Sequence, residues 1–315
     1  MTVPPFAFGR SSAPPAAQLD NLGLLARLSG TWVGGGFNLI SKPGKDVGLD
    51  FVLQVNQTIE TITFDPIGGP VPNRGSAQGD INIFGVTYLQ QVSDATSGAG
   101  LHIERGMWLN VPSTTNPNEP QTIVRLSTIP HGDSVLAQGT GIGPIPAQPQ
   151  IESVSPMPFN DQGPQGGGGY FPPPLTPPAT NPSPLPPGFN LDNPNQALVD
   201  ALRGQTIIDM VVLQVSTNQP NSSQPAPPPP IQPSANQEVL ANLPFGGGVL
   251  NIPFVTTNAN AVSLNSIFWI ETVAPPAGSP PGTQPTMQLQ YTQTVILNFL
   301  GINWPHISVA TLVRH

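Results

Sequence analysis

Cysteine is missing from all 315 residues. Its absence excludes disulfides, iron–sulfur clusters, thiolate-ligated haem, cysteine zinc sites and a cysteine nucleophile. Basic residues are scarce too. Nine Lys and Arg against 17 Asp and Glu leave a net charge of −8. No basic cluster is present to displace counterions from a nucleic acid or to meet an anionic membrane. No run approaches the roughly 20 apolar residues of a membrane helix. The opening MTVPPFAFGRSSAPPAAQ lacks the basic start and apolar core of a secretory signal. The expectation is a cytoplasmic protein with residues 1–18 as a flexible arm.

Proline and glycine are plentiful instead, at 43 and 33 residues. Much of the proline falls in three tracts: 143–196 with GGGGYFPPPLTPPATNPSPLPPG, 218–236 with PAPPPPIQP, and 274–286 with APPAGSPPGTQP. Proline lacks the ladder N–H and fixes φ, so these tracts are excluded from central strands and read as insertions. A lid over a barrel mouth or an SH3-type ligand are the functional readings; a solvated surface insertion is the simpler one.

Between the tracts the pattern is that of strands. LDNLGLLARLSG (19–30) predicts a short helix stopped by Gly30, and NPNQALVDALRG (193–204) a second. GTWVGGGFNLI follows the first helix, and its three glycines require curvature, a bulge or close backbone approach. In 49–64, Phe51, Leu53, Val55, Gln57 and Ile59 share one face. Further strands are expected at 84–92, 101–111, 121–128, 134–139, 206–216, 249–255, 262–273, 287–300 and 306–313. This predicts an all-β protein: one antiparallel up-and-down barrel of about ten strands over 19–315, since closure removes exposed edges.

Most catalytic signatures are missing. FGRSS and GTGIG lack the strand–helix context of a nucleophile elbow, and the glycine runs lack the Lys of a phosphate loop. There is no His-x-x-x-His motif for zinc. Of the histidines, His315 is terminal, His131 sits in a turn sequence (IPHGD), and His102 shares a strand face with Glu104. His306 differs. Alternation sets it on one face with Ser308, Ala310 and Leu312. If that face points inward, two small residues leave room beside the imidazole, and Pro305 restrains the backbone before it. Such an imidazole suits a metal carried by a large flat cofactor.

These motifs, in order, resemble the nitrobindins, ferric-haem β-barrel proteins with a fatty-acid-binding-protein-like fold. The Gly-x-Trp-x-Gly-x-Gly signature of that family is similar to Gly30-Thr31-Trp32-Val33-Gly34-Gly35-Gly36, which the short leucine-rich helix precedes. TYLQQVSDATSGAGLHIERGMWLNV (87–111) resembles its Tyr-x-Gln-Gln, hairpin and His-x-Glu-x-Gly-aromatic run, and WPHISVATLVRH its closing strand. The resemblance covers about 30–130 and 287–313. It implies haem b with His306 as the proximal iron ligand, and we place Trp32, Phe37, Leu39, Ile40, Trp108 and Tyr291 around the cofactor. It further implies peroxynitrite isomerisation or a peroxidase-like reaction, with His131 as a distal acid or base. On this reading the partners are a diatomic or peroxide-type ligand and, in a homodimer, a second copy of the chain. The chain departs from the family in length and in its insertions. Leu39, Ile40 and Ser41 stand where the family has a Thr, and NANAVSLNSIFW lacks the family's Lys.

Two other classes remain open. Gly-x-Trp also begins lipocalin-like carriers of fatty acids or other apolar molecules. The proline tracts alone would suit an interaction protein.

Overall fold

Side-chain alternation is realised as ten long strands in the computed structural model, which describes residues 16–44, 48–49, 51–75, 79–116, 118–160, 179–180, 185–218 and 246–315. They are β1 (Gly30–Pro43), β2 (Phe51–Pro66), β3 (Ile81–Asp94), β4 (Gly100–Val111), β5 (Thr122–Ile129), β6 (Asp133–Ile145), β7 (Ile207–Ser216), β8 (Asn260–Val273), β9 (Thr286–Phe299) and β10 (Ile302–Arg314). Each pairs antiparallel with the next, and β10 returns to β1, Trp32 opposite Arg314 and Ile40 opposite His306. The result is the closed all-β barrel that the alternation predicts.

The interior is filled from one end. Helix α1 (Ala16–Asn21) runs into a 3₁₀ turn (Gly23–Leu28) that buries Leu25 and Leu28 completely. Each such leucine contributes roughly 2 kcal/mol by leaving water. Trp32 is fixed beneath them by donating its indole N–H to the Leu28 carbonyl at 2.6 Å. Phe64, Trp108, Phe268 and Tyr291 continue the packing inward. The glycine run answers to close approach. A Cβ on Gly34 or Gly36 would collide with the Thr311 or Val309 carbonyl oxygen of β10, and one on Gly35 with that of Thr58 on β2.

The outside of the barrel is also apolar. Leu39, Leu53, Val55, Trp269, Ile307 and Val309 point away from the lumen and form a second buried cluster. Described parts of the first proline-rich tract cover it. Ile151, Val154, Leu185, Phe189 and Leu191 pack there, with Leu198 from α2 (Gln196–Ala201). The Phe189 ring lies 4.2 Å from that of Phe37. These parts of the tract are therefore a cover over the wall, neither a lid on the mouth nor a solvated loop. Residues 161–178 and 219–245, which hold most of the first two proline runs, lie outside the described residues. The 274–286 tract forms the largely exposed connection from β8 to β9.

Two expected strands are corrected. The segment at 249–255 is no barrel strand: Gly246–Asn251 pairs along β6 only, and Pro253 then opens helix α3 (Pro253–Asn258). Proline is well placed in a first helical turn, where its missing N–H leaves no bond unmade. The last strand starts at Ile302, not 306, because Leu300 and Gly301 both adopt positive φ and make a tight hairpin turn. Pro305 is thereby inside β10, one residue past the end of its pairing with β1. No helix among the described residues is long and apolar enough to cross a membrane.

Candidate functional site

The end of the barrel opposite the helical plug holds a cavity of about 430 Å³. Ile40, Val92, Val135, Val295 and Leu297 supply apolar wall, and Val255 and Asn258 of α3 stand at its edge. His306, His102 and His131 all reach this cavity, from β10, β4 and the β5–β6 turn. Three of the four histidines, far apart in sequence, thus share one space.

His306 faces inward because β10 keeps strict alternation: Ile307 and Val309 lie outside, Ser308 and Ala310 inside. Burial, with a smaller contribution from His131, holds its imidazole down to about 4. The ring is therefore neutral at pH 7, and it makes no side-chain hydrogen bond among the described residues. Only half of the expected room beside it exists. Ser308 lines the cavity and accepts a hydrogen bond from Asn38 Nδ2 at 2.9 Å, but Ala310 is sealed into the core opposite Tyr291.

The floor of the cavity is polar and tightly bonded. Tyr291 donates to Glu60 Oε2 at 2.5 Å, and Gln90 Nε2 donates to the Tyr291 hydroxyl at 2.9 Å. Burial raises the Glu60 carboxyl, against its hydrogen bonds from Tyr291, Thr58 and Gln90. Beside it, Arg125 is wholly buried and donates to Glu104 Oε1 at 2.7 Å, Gln293 Oε1 at 2.6 Å and Ser266 Oγ at 3.1 Å. Its guanidinium also lies over the rings of Tyr88, Trp108 and Phe268, 5.5 to 5.8 Å from their centres. Burial alone would raise the Glu104 carboxyl, but the Arg125 charge overrides it and holds Glu104 well below the usual carboxylate range. His102 completes the chain, its Nε2 3.3 Å from Glu104 Oε2 and its ring 5.6 Å from that of His131.

Of the residues singled out from sequence, His306, His131, Ile40 and Tyr291 line the cavity. Trp32 and Trp108 are in the lumen but below it, within the packed core. Phe37 and Leu39 are on the outer wall, since Asn38 and Ile40 occupy the inward positions of β1. Phe37 and Leu39 share one face of the strand and Ile40 takes the other, so the three cannot all face one ligand. Sequence reasoning passed over Glu60, Arg125, Gln90 and Gln293. The available signal was a lone charge in the middle of an apolar strand, as in QTIETITF and QTIVRLST.

No group of three or more His, Cys, Asp or Glu side chains positioned to hold a metal ion occurs among the described residues. A bare ion would find too few ligands here. A metal already held in a macrocycle needs only one imidazole from the protein, and neutral His306 fits that requirement.

No protein-family model matches the chain, and no curated protein sequence does. Among solved structures, the crystal structure of Rv2717c from M. tuberculosis is similar at 14% sequence identity and a TM-score of 0.43, covering 95% of this chain and 98% of that one. At that level the likeness speaks to neither ligand nor activity.

Proposed function

We propose that the barrel is a small-molecule-binding protein whose cavity takes haem b, with His306 as the axial ligand. The observation that carries this reading is a neutral imidazole, free of hydrogen bonds to the described residues, facing a cavity. A volume of about 430 Å³ lies within the roughly 300–1,000 Å³ of ordinary ligand pockets. Ile40, Val92, Val295 and Leu297 would pack against the flat faces of the group, and the bonded Gln90–Tyr291 floor would limit its depth. Bound haem would supply an iron with one open position for NO, peroxide or peroxynitrite, which is the nitrobindin-like chemistry. His131, exposed at the mouth, is the group placed to exchange protons with solvent. Glu60 and Glu104 are tied into the floor and supply polarity without direct access to solvent.

Carriage of an apolar molecule without catalysis is the second reading, favoured by the aliphatic wall and by the lack of Lys or Arg in the described lining. Haemin titration decides between them. The wild type should take up one equivalent with a Soret band that shifts on adding NO, and His306→Ala should lose that spectrum. A wild type that takes up no haem, or an Ala variant with an unchanged spectrum, overturns the haem reading. Fatty-acid displacement of a fluorescent probe then tests the carrier.

A further inference from the structure

We propose that Glu104 and His102 form a proton-accepting dyad in the cavity wall, and that its ligand is a small carboxylic acid which enters neutral and is held as the anion. This rests on the cavity being a ligand site, and is independent of haem. The argument begins with a proton count. Glu104 Oε1 receives the Arg125 guanidinium at 2.7 Å and the Tyr88 hydroxyl, so its carboxylate is ionised and carries no proton. Its other oxygen, Oε2, faces His102 Nε2 at 3.3 Å. Two lone pairs do not face each other at that distance, so Nε2 bears the hydrogen. With one ring hydrogen on Nε2 the lone pair lies on Nδ1, which has no partner among the described residues. This is how a buried carboxylate fixes the tautomer of a catalytic imidazole and stabilises the imidazolium that forms.

The surroundings set the ligand class. The ionisable groups near the His102 ring are Glu104 and, behind it, Arg125, with Glu60 deeper in the floor, His131 beside it, and Asp133 and His306 elsewhere on the wall. Arg125 is committed to Glu104, and no Lys or Arg is among the described lining residues. An anion entering this cavity meets no fixed positive charge. A neutral acid avoids that cost. On binding, its O–H bond breaks and an Nδ1–H bond forms. The products are a carboxylate and an imidazolium between two negative neighbours, with no change in the net charge of the site. His306 cannot replace His102 as acceptor, because burial makes it a weak base. The aliphatic wall accommodates a hydrocarbon chain behind the carboxyl.

The experiment uses octanoate and the full-length protein without haem. Calorimetric titration at pH 8 in two buffers of different ionisation enthalpy counts the protons taken up. Octanoate should bind with close to one proton taken up, and 1-octanol, which has no acid proton, with none. His102→Gln should weaken octanoate at least tenfold while leaving 1-octanol within about twofold, whereas His306→Gln should retain the proton uptake. Nitrogen-15 NMR of the unliganded protein should show the Nε2–H tautomer at His102, a readout that does not depend on ligand or on the folding of a variant. An Nδ1–H tautomer overturns the dyad. Octanoate binding without proton uptake, or failure of octanoate to bind, overturns the ligand class, and neither result bears on haemin uptake.

Discussion

Replacing Glu271 with Gln should remove a pH dependence of stability that the wild type carries between about pH 5 and 8. Glu271 is completely buried on the outside of β8, under the chain that follows α2. Its Oε2 accepts from Gln288 Nε2 at 2.6 Å, and Gln288 is shared with Gln205. Its Oε1 has no partner among the described residues. Burial pushes the carboxyl from its ordinary 4.5 up to about 8, against the opposing hydrogen bond from Gln288. Between these values the folded protein keeps a proton that the unfolded chain has released. Stability is therefore full below about 4.5 and is lost as pH rises through 8. One pH unit is worth about 1.4 kcal/mol, so going from pH 4.5 to pH 7 should cost about 3 kcal/mol. Glutamine keeps the shape and the acceptor but has no proton to lose. Urea unfolding at pH 5, 6, 7 and 8 should show the wild type falling behind Glu271→Gln by a margin that widens at each step. Glu60, also raised by burial, adds a slope common to both proteins and cancels in the difference. A difference that stays constant from pH 5 to pH 8 would refute the reasoning, because Glu271 would then be ionised in the fold.

Arg125→Met should destabilise the barrel by about 3–5 kcal/mol, since it leaves the buried Glu104 charge uncompensated; a loss under about 1 kcal/mol in thermal melts would contradict an ionised Glu104. Gly36→Ala should lower the melting temperature more than the same change at Gly248, where nothing among the described residues crowds an added Cβ. If haem binds as proposed, its affinity should be flat from pH 8 to about 6 and fall as pH approaches about 4, where a proton competes for His306; haemin titrations across that range read it directly.

Strands were legible because alternation survives in almost every one, and so was the helical plug, whose leucines recur at helical spacing. The direction of each face was not. In β2 the apolar face of Leu53 and Val55 points outward, while Asn56, Thr58 and Glu60 point in. A strand sequence carries the period but not the sign, and the sign depends here on a cover supplied about 100 residues later. Phe37 and Leu39 were grouped with the ligand for that reason. The grouping of His306 with Ser308 on one face was legible from their spacing, but that this face turns inward was not. His102 and Glu104 were seen to share a face, but Arg125, which fixes the charge of Glu104, becomes their neighbour only through the β4–β5 pairing. Pro253 misled because a strand-like run before it hid its fitness for a first helical turn.

Closure of β10 onto β1 has a consequence for how the molecule is made. The partners Trp32 and Arg314 are far apart in sequence, so β1 leaves the ribosome long before the strand it pairs with is made. Until residues 302–314 emerge, one edge of β1 is open and its glycines 34–36 have no neighbour on that side. Open edges of this kind invite pairing with other chains, and contacts so distant in sequence form slowly. Synthesis of this protein therefore includes a long interval in which β1 waits for the strand that covers its open edge.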